Sequence, residues 1–149
     1  MLATITELDD TDLTATIHDS HHSLSRHRAR FILGLAEFHA RQLAGNHGSP
    51  NTVAWLTRHH DLARRTAFEY LGVGTKLRRF RLVAHSFLTG DLSYSKVRLL
   101  LRHLTEANED ELLNLALRHT LAELEQALAG RARSRGRSAP VKAFLMDQR

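Results

Sequence analysis

From Phe80 to Leu88 the apolar residues fall at Phe80, Val83, Ala84, Phe87 and Leu88, a spacing of i, i+3, i+4, i+7 and i+8. On a helix these five share one stripe; on a strand they scatter over both faces. Gly90 follows where a left-handed glycine commonly closes a helix. The helical period returns along most of the chain, and no stretch sustains the alternation of a half-buried strand. No internal repeat interrupts the pattern. The spacing predicts an all-α protein, a multi-helix bundle. Its 149 residues suit one domain with a real core, since a chain of this size hides about 70% of its unfolded surface.

Three segments are expected. Residues 1–24 form a variable acidic N-terminal segment. Thr4 and Glu7 have capping-box spacing, Leu8, Leu13 and Ile17 line a short helix, and the polar cluster from His18 to Ser23 interrupts it. Residues 25–130 form the helical domain. Its first helix, over 25–43, turns Ile32, Leu35, Ala36, His39 and Leu43 inward, with Phe31 and Phe38 flanking. Gly34 costs it about 1 kcal/mol relative to alanine and suggests a close helix crossing. Gly45, Gly48 and Pro50 mark a loop. Asn51 or Thr52 then caps a short helix carrying the single tryptophan, Trp55, which is read as a packing residue.

Asp61 is the expected N-cap of the following helix, whose Leu62, Ala63, Ala67, Tyr70, Leu71, Gly74 and Leu77 face inward. Gly72 and Gly74 weaken its last turns. Ser93 or Ser95 starts the next helix, Asn108 with Glu111 another, and Thr120 with Glu123 a last one ended by Gly130. Residues 131–149 differ in kind: Arg131, Arg133, Arg135 and Arg137 alternate with small residues, which predicts a disordered basic C-terminal tail.

Charge is segregated. Residues 1–25 carry five acids and no lysine or arginine; residues 26–103 carry fourteen bases and four acids; residues 104–130 carry six acids and one base. The tail carries six bases and one acid, and the whole chain sums to +5. A concentrated basic region attracts polyanions by field and by counterion release. There is no cysteine, which excludes disulfides and cysteine-ligated zinc and fits a reducing compartment. The acidic start lacks signal-peptide pattern, and no apolar run approaches the roughly 18 residues of a membrane span. A cytoplasmic protein without membrane contact is expected.

Little points to catalysis. Ser86, Ser93 and Ser95 have no nucleophile elbow or placed base, and Gly72-Val73-Gly74 is too short for a nucleotide fingerprint. His18, His21 and His22 share one turn, but zinc needs three or four ligands with a supporting shell; no metal, cofactor or catalytic residue is assigned. Duplex DNA remains the chemical partner of choice. The helix pair on either side of His59-His60-Asp61 resembles a helix-turn-helix, a motif that presents the N-terminus of its second helix to the major groove. Arg64 and Arg65 stand at that end and Arg58 on the helix before. Arginine forks read guanine or clamp phosphate. Arg78, Arg79 and Arg81 extend the expected DNA contacts, and Arg131, Arg133, Arg135 and Arg137 follow the backbone. The alternative is an interaction module, in which the acidic ends face the basic middle of another copy or a nuclease partner.

Several motifs in order carry a family resemblance: Trp55-Leu56, then Asp61-Leu62-Ala63-Arg64-Arg65, then Thr89-Gly90-Asp91-Leu92-Ser93, Glu111-Leu112-Leu113 and Thr120-Leu121-Ala122-Glu123-Leu124. Together they resemble domain of unknown function 222, the N-terminal region of actinobacterial HNH endonucleases and 13E12 repeat proteins. The resemblance covers residues 25–130. It implies a DNA-associated module, and the chain is expected to be a truncated or split copy, since family members continue into the nuclease. His103 through Asn108 has suitable letters for an HNH motif but lies on a helix and its exit, where no strand hairpin is expected to carry metal ligands.

Overall fold

Successive helices pack around α1 (Asp10–Ala40), the longest element of the computed structural model, which describes residues 4–133. There follow α2 (Thr52–His59), α3 (Arg64–Leu77), α4 (Arg81–Leu88), α5 (Tyr94–Leu101), α6 (Glu109–Arg118) and α7 over 121–133. Short 3-10 turns at Ile5–Glu7 and Leu43–His47 complete the path. No strand occurs among the described residues, and none of their helices is long and apolar enough to cross a membrane. The protein is an all-α multi-helix bundle.

The cluster from His18 to Ser23 does not interrupt a helix; α1 runs through it, and through residue 24, without a break. Polarity does not stop a helix whose face is solvated; proline breaks a helix and glycine weakens it, and neither occurs before Gly34. The start is well defined instead: Asp9 accepts from the Asp12 N–H at 2.7 Å, and Asp10 and Asp12 place negative charge in the first turn. The far end stops at Ala40, earlier than expected, because Gln42 turns left-handed (φ 57°).

The caps divide into confirmed and corrected. Asn51 caps α2 through the Ala54 N–H (2.8 Å) and Ser93 caps α5 through Lys96 (3.2 Å). Thr120 and Glu123 form the expected reciprocal box at α7. Asp61 does not cap α3. It adopts φ 53°, the chain extends past Leu62, which packs on the core, and Ala63 occupies the N-cap with no side-chain bond. Asn108 does stand at the N-cap position of α6, as expected, but makes no side-chain cap bond; it closes the loop before the helix, accepting from the Thr105 N–H and donating to the His103 carbonyl. Gly90 does end α4, at φ 88°, whereas Gly130 ends nothing: it keeps a negative φ and α7 continues to residue 133. Arg131 and Arg133 are therefore helical, while the rest of the expected tail lies outside the described residues.

Two adjoining clusters form the core. The larger joins Ile32 of α1, Leu77 of α3, Val83 and Phe87 of α4, Val97 and Leu100 of α5, Leu112 of α6, and Leu124 and Leu128 of α7. The smaller holds α2 against α1 and α3 through Leu35, Leu56 and Ala67. Trp55 is only partly buried at its edge, stacked on Phe38 with centroids 4.2 Å apart, with the exposed rings of His47, His59 and His60 around it. Gly34 lines no crossing, since a Cβ there would meet open space. The crossing is made by Gly74 of α3, where a Cβ would lie 2.5 Å from the Ile32 carbonyl of α1.

Candidate nucleic-acid interface

The fold separates the arginines that the sequence groups together. Arg58 lies in the last turn of α2, while Arg64 and Arg65 are the first two residues of α3, and all three are exposed. The Arg64 guanidinium stacks over Phe68, 5.2 Å from its centroid. Arg58 and Arg65 make no side-chain hydrogen bond or ion pair among the described residues. Because Ala63 has no side-chain acceptor, no cap occupies the first turn of α3. This elbow thus offers two arginines at an uncapped helix N-terminus and a third on the helix before it, an arrangement that favours anions.

Arg78, Arg79 and Arg81 stand at the other end of α3, about 20 Å away at about 1.5 Å per residue, and two of them are engaged. Arg78 pairs with Glu37 of α1 at 3.0 Å, and Arg41 holds the same carboxylate at 2.8 Å. The hydrogen bonds from Arg41 and then Arg78 keep the Glu37 carboxyl below its ordinary pKa. Arg79 lies 3.6 Å from Glu106 and over the Phe80 ring. Arg81 is exposed and unpaired among the described residues. Its helix terminus is already served by Glu109, which accepts from the Leu82 and Val83 N–H groups at 3.0 and 3.2 Å. Arg131 pairs with Glu111, Arg133 is exposed, and Arg135 and Arg137 lie outside the described residues.

A second basic surface was not anticipated. Lys76 of α3, Arg98 of α5 and Arg102 at the C-cap of α5 line an open cleft of about 250 Å³ with Phe68 and Leu101. Phe68 is 53% exposed. Lys76 and Arg102 are exposed and unpaired among the described residues. Arg98 is fixed by Glu69 at 3.1 Å, and the same carboxylate accepts from the Tyr94 hydroxyl at 2.7 Å. Burial, then that hydrogen bond, pushes the Tyr94 hydroxyl well above its ordinary pKa. The i, i+4 spacing of Arg98 and Arg102 signalled a shared face of α5; nothing local signalled that Lys76 and Phe68 would meet it.

Among the described residues no three histidines or carboxylates converge as a metal site. No family model, curated protein or solved structure matches this chain.

Proposed function

We propose that this chain is a DNA-associated helical module that contacts duplex DNA through the α2–α3 elbow and carries no catalysis of its own. The observation that supports this reading best is the elbow itself: Arg58, Arg64 and Arg65 are free of acidic partners, and Arg64 and Arg65 open the uncapped α3. Charge-assisted bonds from guanidinium forks and free helix N–H groups are the contacts that clamp phosphates. The resemblance to domain of unknown function 222 agrees with a DNA-positioning role beside a nuclease.

Binding of labelled duplex DNA, followed by anisotropy as salt is raised, tests the proposal. The wild type binds at low salt and weakens as salt rises. The triple variant Arg58→Ala, Arg64→Ala, Arg65→Ala binds less tightly at every salt concentration, with a logarithmic salt slope shallower by about 3. Arg78→Ala with Arg79→Ala changes the slope far less, because those cations already face Glu37 and Glu106. Absence of low-salt binding, or a triple variant that keeps the wild-type slope, would refute the elbow. Supercoiled plasmid incubated with the protein and Mg²⁺ or Mn²⁺ stays uncut.

A further inference from the structure

The first three turns of α1 project from the bundle, and the fourth meets it through the His22 ring, which packs on Gly90. No residue of α1 before Ser25 is buried. Yet Leu13, Ile17, Leu24 and Phe31, spaced 4, 7 and 7, lie along one side of the helix, with Ile17 61% and Leu24 53% exposed. The stripe thus leaves the core at Phe31 and continues uncovered onto the arm. The arm's charge is of one sign: Asp9, Asp10, Asp12 and Asp19 with no lysine or arginine before Arg26. Since α1 is one uninterrupted helix from arm to bundle, the arm cannot fold back onto its own body.

We infer that this acidic arm docks in the α3–α5 cleft of a second copy of the chain, and reciprocally. The cleft has the complementary makeup, with exposed Phe68 and partly buried Leu101 beside the cations Lys76 and Arg102 and the Glu69-paired Arg98. Arm-on-arm pairing is disfavoured because it sets like charges side by side along both helices. Arm-in-cleft pairing covers the arm's apolar stripe and opposes aspartates to lysine and arginine. Two copies exchanging arms make a closed two-fold dimer, with each contact formed twice. The cleft meets the elbow at Phe68, over which Arg64 stacks, but Lys76, Arg98 and Arg102 are not elbow residues, so charge reversals in the cleft test the dimer with Arg58, Arg64 and Arg65 in place.

Sedimentation of the purified full chain without nucleic acid is the test. The wild type forms dimers near 0.1 M salt that dissociate toward about 1 M, as the screening length falls from about 10 Å to about 3 Å. Asp10→Lys with Asp12→Lys and Asp19→Lys gives monomers, as does Lys76→Glu with Arg102→Glu. Combining both sets restores the dimer. Circular dichroism checks that each variant keeps its helices. Because the chain has no cysteine, mixing Ile17→Cys copies with Phe68→Cys copies offers a second readout that leaves every charge in place. A disulfide forms between unlike copies and not between two Ile17→Cys copies. A wild type monomeric at low salt, a dimer indifferent to either charge reversal, a combined variant that stays monomeric, or no cross-link between unlike copies overturns the inference.

Discussion

Two glycines show how much a single residue's meaning depends on its neighbours. Gly34 and Gly74 are both helical, but a Cβ at Gly34 meets nothing, while at Gly74 it meets the Ile32 carbonyl at 2.5 Å and the Ala36 Cβ at 3.1 Å. Gly34→Ala is expected to stabilise the protein by up to about 1 kcal/mol through helix propensity. Gly74→Ala gains the same propensity yet is expected to lose about 1–3 kcal/mol net, because backbone on α1 must move. Urea denaturation of both variants checks the opposite signs. Glu123 gives a pH-dependent case. The Thr120 N–H, then the Thr120 side chain, hold its carboxyl below the ordinary pKa. That stabilisation is complete above the ordinary carboxylate pKa and is lost as pH falls through the lowered one. The melting-temperature gap between wild type and Glu123→Gln is expected at about pH 7 and narrows as pH falls below the ordinary carboxylate range.

Between elements, side chains from one helix serve the ends of another. Glu109 of α6 accepts two N–H groups at the start of α4. Lys96 of α5 donates to the Ala116 carbonyl at 2.7 Å and to the His119 carbonyl, closing the end of α6. Both place charge where the helix dipole favours it. Glu109→Ala and Lys96→Met are each expected to cost about 1–2 kcal/mol in chemical denaturation, more than a typical exposed charge. Neither role was legible locally, because each side chain lies 20 or more residues from the backbone groups it serves. The helices themselves were legible. Apolar period, the Asn51 and Ser93 caps, the Thr120–Glu123 box and the Gly90 stop are local signals, and local hydrogen bonding enforces them. Local reading failed at Asp61, where packing of Leu62 delays α3, and at Gly130, where the backbone never takes the left-handed turn that makes glycine a terminator.

At the scale of the molecule, the basic middle of the chain is not one surface. Folding divides it into a free elbow at Arg58, Arg64 and Arg65, a corner where Arg78 and Arg79 meet acids, and the α3–α5 cleft. The divided response to arginine removal expected in the DNA titration, and the exchange of arms expected in sedimentation, both belong to this scale. The sequence alone determined the helical class, most helix starts and the alternation of acidic and basic segments, because period, capping and net charge depend on residues close along the chain. Tertiary structure alone decided which arginines remain free, which glycine sits at a helix crossing, and that an apolar stripe on α1 is left without a cover. Those outcomes depend on the partner each side chain meets across the bundle, and sequence separation carries no information about that distance.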